Sequence, residues 1–154
     1  MVFFKRAAVV VLLMWMSAFG LRALDWQYGE LFEIRGIERP QGHPVMPLTR
    51  GKYANVRVLG KETFDLLHTC QQKLCKQAAQ AGAAEIASWR AARTRPGMWI
   101  ADVAVDGQWL LTFLIFQTNQ KIRFVVPDCI QVLDQDWLSG VEALLQARLT
   151  QTEP

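Results

Sequence analysis

Three short apolar-rich runs bounded by turn signals, 99–105, 109–116 and 122–126, constrain this chain more than anything else in it. Runs of this length and composition between turns read as strands. Asp106-Gly107 is a strong hairpin signal between the first two runs, and residues 118–120 close the second turn. Consecutive strands joined this way form an antiparallel meander, and the rest of the chain must pack around it.

Side-chain chemistry selects the register of the first hairpin. A two-residue loop sets Asp102 opposite Leu111, an acid against an aliphatic group. A three-residue loop, Asp106-Gly107-Gln108, sets Asp102 opposite Thr112 and Val103 opposite Leu111. Cross-strand pairs stabilise a sheet when their characters match, so the second register is expected. It gathers Trp99, Ala101, Val103, Val105, Trp109, Leu111, Phe113, Ile115, Phe124 and Val126 on a core face. The opposite face carries Ile100, Asp102, Ala104, Leu110, Thr112, Leu114, Phe116, Arg123 and Val125. Leu110, Leu114, Phe116 and Val125 together make a patch larger than a monomer ordinarily exposes. Either a partner or the C-terminal helix covers it.

Residues 61–93 read as one long helix, with Leu67, Cys70, Leu74, Ala78 and Ala81 in a narrow stripe and Phe64 and Trp89 at its edge. The stripe thins at 79–84, around Gly82, as either a close helix–sheet contact or a break. Pro96-Gly97 ends the element. A second amphipathic helix spans 135–149, with Trp137, Val141, Leu144, Leu145 and Leu149 inward, Asp134 and Asp136 at its start, and a frayed tail. Residues 26–37 read as a strand with Tyr28, Phe32 and Ile34 on one face, and 53–59 as a short one. The proline-rich stretch 38–52 reads as a loop. The fold class expected is therefore α+β: a small antiparallel sheet (the three-stranded C-terminal meander plus N-terminal strands) packed against one long helix and a C-terminal helix.

At the N-terminus Lys5 and Arg6 precede fifteen uncharged residues, 7–21. A basic start, an apolar stretch and small residues such as Ala18 and Gly20 are the marks of a secretory signal. The run is short for a span of about 20 residues, yet Trp26 and Tyr28 stand where interfacial aromatics sit. Residues 1–24 are thus expected to be a signal peptide or an N-terminal membrane anchor, and 25–150 a single exported domain, periplasmic or otherwise extracytoplasmic.

Export favours a disulfide among Cys70, Cys75 and Cys129. On a regular helix Cys70 and Cys75 lie roughly 8–9 Å apart, beyond bridging distance. A bridge from the helix to Cys129 is the more economical pairing; a local Cys70–Cys75 bridge requires the helix to start later or distort.

No catalytic motif is present, and no cofactor is expected. His68, Cys70, Cys75 and Cys129 could supply zinc ligands, but Cys70 lies across the helix wheel from His68, so no metal site is expected. His43 sits in the proline-rich loop, and Asp102 and Asp128 lack a catalytic partner at useful spacing. Arg90, Arg93 and Arg95 fit a solvated helix end better than a phosphate patch. A net charge of +3 argues against nucleic acid. The expectation is a non-enzymatic envelope protein that binds other envelope proteins, and the membrane too if its N-terminal segment is uncleaved, in an assembly such as a secretion, pilus or conjugation apparatus. A small exported hydrolase or thiol enzyme around loop 38–52, or a ligand binder using the tryptophans, are the alternatives.

Overall fold

The computed structural model describes residues 23–38 and 56–152, which form nine strands and two helices. In chain order these are β1 (Ala23–Tyr28), β2 (Phe32–Glu38), β3 (Val56–Val58), α1 (Lys61–Thr69), β4 (Leu74–Gln77), β5 (Ala84–Ala91), β6 (Met98–Val105), β7 (Trp109–Thr118), β8 (Lys121–Val125), β9 (Ile130–Val132) and α2 (Gln135–Thr152). One sheet has the order β4-β1-β2-β9. The other has the order β3-β7-β6-β5, with β8 on the remaining half of the β7 edge. The fold is mixed, with two helices, but it is mostly sheet and holds more strands than the sequence suggested. No helix among the described residues is long and apolar enough to cross a membrane. The N-terminal segment and the loop with His43 lie outside the described residues.

The meander has the expected register. Asp102 faces Thr112, Val103 faces Leu111 and Val105 faces Trp109 across a loop of Asp106, Gly107 and Gln108. Asp106 and Gly107 both take positive φ, which lets the Gln108 N–H donate back to the Val105 carbonyl at 2.9 Å.

The long helix does not exist. α1 stops at Thr69, and the chain then supplies β4 and β5. Two effects defeat the helical reading. The Asp106 carboxylate accepts from the N–H groups of Gly82 at 2.9 Å and Ala83 at 2.8 Å, holding the small-residue stretch in a bend that no helix continues through. In β5 the register shifts between Ile86 and Ser88, so Ile86 and Trp89 pair with Val103 and Ala101 and share one face. A bulge thus gives two strand residues the i, i+3 spacing of a helix.

Residues 26–37 likewise form a hairpin rather than one strand. The chain reverses at Gly29, whose φ of +53° suits the turn, and an added Cβ there would meet the Ala79 Cβ at 2.5 Å. Trp26, Tyr28, Phe32 and Ile34 are nonetheless all buried on one side, because the turn preserves the alternation.

One core joins both sheets and α2. Trp26 of the first sheet meets Trp109 of the second edge-on, with ring centroids 6.0 Å apart. Both indole N–H groups donate to Gln77 Oε1, at 3.1 and 3.3 Å. Gln77 Nε2 donates to Thr63, whose hydroxyl donates to Gln108 Oε1 at 2.7 Å. Tyr28 donates to Asp106 at 2.5 Å and ties the sheets at the same end. α2 starts at Asp134, whose Oδ1 accepts from the N–H groups of Asp136 and Trp137, and Trp137 stacks on Phe32. Val141, Leu145 and Leu149 bury the helix against the core; it runs to Thr152, past the expected end.

Candidate functional site

The second sheet has two apolar faces, and only one of them is in the core. Val103, Val105, Trp109, Leu111, Phe113 and Ile115 point toward the first sheet and α2. Arg148 of α2 lies 5.6 Å over the Trp89 ring, which places the C-terminal helix on that same side. The helix therefore does not cover the other face.

That outer face is built by in-register neighbours. Ile100 stands beside Leu114, Leu114 beside Val125, Met98 beside Phe116, and Ala104 beside Leu110. None of these residues belongs to the core cluster. Leu114, in the middle, is 9 % exposed and Thr112 4 %, while Leu110, Phe116 and Val125 remain half-buried. The four residues expected to form an interaction surface thus share one face, with Leu114 sunk among its neighbours.

Cations border this apolar centre. Arg95, in the connection from β5 to β6, lies 5.1 Å from the Phe116 ring centroid, and Arg123 of β8 lies 5.0 Å from it. Arg57 of β3 pairs with Leu110 at one edge, and Lys121 pairs with Thr118 at the end of β8. Arg90 reaches Asp102 at 3.4 Å. Arg90, Arg93 and Arg95 belong to a strand and the connection after it, so the helix-end explanation of that cluster does not hold. Arg123 was assigned to this face by its alternation; Arg95 gives no such signal, because a loop residue has no period.

Two carboxylates lie on the face, Glu85 on the β5 edge and Asp102 in its interior. Burial alone would raise the Asp102 pKa, but hydrogen bonds from Ser88 and Thr112, both at 2.6 Å, and the Arg90 charge outweigh that and hold the carboxyl below the usual range. Asp106 is lowered in the same manner: burial opposes, and donors from Tyr28, Ala83 and Gly82 prevail. Burial and the bond to Asp106 push the Tyr28 phenol above its ordinary value. Each of these shifted groups is engaged in bonds that hold strands or sheets together.

The cysteines pair locally. Cys70 and Cys75 form the disulfide, with Cα atoms 6.4 Å apart. The expected bridge to Cys129 fails on two counts. With α1 ended at Thr69, Cys70 and Cys75 no longer lie on one regular helix. Across the first sheet, Cys75 pairs with Trp26, Trp26 with Ile34 and Ile34 with Ile130, so Cys129 sits about three strand spacings, roughly 14 Å, away. His68 is exposed and packs edge-on against Phe64. Among the described residues no group of three His, Cys, Asp or Glu side chains is placed to hold a metal.

A shallow groove of about 490 Å³ lies between the β1–β2 turn and the start of α2, lined by Glu30, Leu133, Asp134, Gln135 and Asp136. Comparison with known protein families, curated proteins and solved structures finds no match to this chain.

Proposed function

We propose that this is a non-enzymatic envelope component, exported by its N-terminal segment, that binds another protein through the outer face of the second sheet. The observation that carries this reading is the row Leu110, Leu114, Phe116 and Val125, which lies on a face apart from the core and is bordered by arginines. An apolar centre with an arginine rim has the make-up of a protein interface, in which aromatic residues and Arg are enriched.

Site-specific photo-cross-linking in the native envelope tests it. A cross-linking residue at Val125 or Leu110 should give a discrete adduct, and one at the exposed Gln146 of α2 should not. Val125→Asp should abolish the Leu110 adduct while the protein stays folded, because Val125 is half-buried and outside the core. No adduct anywhere on the face would overturn the reading. Export is tested separately: a reporter fused after residue 60 should be active only outside the cytoplasm, and deletion of residues 5–21 should trap it inside.

A further inference from the structure

We infer that the partner of this face is a second copy of the chain, joined head to tail; the inference rests on the binding role proposed above. It comes from how charge is divided over the molecule. The outer face holds five cations, Arg57, Arg90, Arg95, Lys121 and Arg123, against two carboxylates, Glu85 and Asp102. Asp102 is taken up by Arg90, Ser88 and Thr112. No salt bridge among the described residues engages the other four cations. The remaining described residues have the opposite balance, eleven carboxylates against six Lys and Arg. Among the described residues, a basic face thus stands against an acidic remainder.

A face of this kind selects an acidic surface with an apolar contact. The chain's own segments 1–22 and 39–55 contain Lys and Arg but no Asp or Glu, so they offer it no opposite charge. The acidic remainder of another copy does. Away from the strands that build the face, Glu30 in the β1–β2 turn and Asp134 and Asp136 at the start of α2 line one groove with Leu133, which is 41 % exposed. Arg95 and Arg123, held against Phe116, present guanidinium groups to those carboxylates, and the apolar row meets Leu133. The two contacting surfaces differ, so each copy keeps one of each free. Such a contact propagates, giving a ring if the rotation closes and a filament if it does not.

Charge exchange tests this on the full chain in a non-ionic detergent, with mass followed by sedimentation. Wild type should associate beyond a dimer at about 50 mM salt, and about 500 mM salt should weaken that association about tenfold or more. Arg95→Glu/Arg123→Glu makes both surfaces acidic, and Glu30→Arg/Asp136→Arg makes both basic. Each variant alone should stay at the size of one chain, and an equal mixture should associate again. Near-ultraviolet circular dichroism of the tryptophans shows that each variant is folded. If an exchange perturbs folding, Arg123→Gln with Glu30→Gln reads the same loss without charge reversal. A wild type that does not self-associate, or variants that associate as well alone as mixed, overturns the inference. So does binding to phosphatidylglycerol vesicles through Arg95 and Arg123 without self-association, which assigns the face to lipid. If wild type stays single while Val125 still cross-links to a different protein, the second-copy partner fails and the binding role stands.

Discussion

Asp102 and Thr112 face each other across β6 and β7, and the Thr112 hydroxyl donates to Asp102 Oδ1 at 2.6 Å. Thr112 is nearly enclosed, so its hydroxyl depends on that carboxylate. Asp102→Ala leaves the hydroxyls of Thr112 and Ser88 without this acceptor and should cost about 1–3 kcal/mol. Asp102→Leu combined with Thr112→Val should be more stable than Asp102→Leu alone, since removing both partners leaves less unsatisfied. Urea unfolding of the three variants measures this.

Stability should fall at both ends of the pH range, for separate reasons. Asp102 and Asp106 hold their protons less tightly when folded than when unfolded. Their contribution is therefore complete above about pH 4 and is lost as pH falls through the folded pKa values. Tyr28 holds its proton more tightly when folded. Its contribution is complete below about pH 10 and is lost as pH rises through the folded value. Asp106→Asn should flatten the acid arm of a urea-midpoint profile, and Tyr28→Phe the alkaline arm. Asn also tolerates the positive φ at position 106.

Gln77 serves two buried indoles at once. Gln77→Leu should cost about 2–4 kcal/mol, because Trp26 and Trp109 lose their shared acceptor and Thr63 loses a donor. Chemical unfolding followed by tryptophan emission gives the loss directly.

The cysteine pairing predicts a simple count. Alkylation of unreduced, unfolded protein should modify Cys129 alone, and reduction should open Cys70 and Cys75. Replacing both with Ser should cost roughly 2 kcal/mol, as expected for so short a closed loop. Thermal unfolding reads it, and an unreduced protein that alkylates at Cys70 or Cys75 would contradict the pairing.

The meander of β6, β7 and β8 was legible because its strands are neighbours in sequence and their partners match in character, as Asp102 with Thr112 and Val103 with Leu111. Alternation alone was enough to set Leu110, Leu114, Phe116 and Val125 apart from the core. The Asp134 cap was legible too, since its chemistry acts on N–H groups only two and three residues on. The first sheet was not. β4 runs parallel to β1, more than forty residues distant, and no local pattern encodes such a pairing. The error over 61–93 has a physical basis: small helix-forming residues are held in a bend by Asp106, and the β5 bulge gives Ile86 and Trp89 a helical spacing. Arg95 reaches Phe116 because the β5–β6 connection ends beside β7, where the Gly97 carbonyl accepts from the Gln117 N–H.

The order of the strands also sets an order of folding. β5 to β8 are successive hairpins that close over short loops, whereas β9 joins β2 across about a hundred residues. The meander can form early from local contacts, while the first sheet must wait for chain from both ends. β9 supplies only three residues, Ile130 to Val132, yet α2 follows it directly. A chain that ends before Ile130 keeps every strand of the meander but lacks the last edge strand and the C-terminal helix. Its inner face, with Trp109 and Phe113, is then left partly bare, and the β2 edge stays open to pairing with another chain.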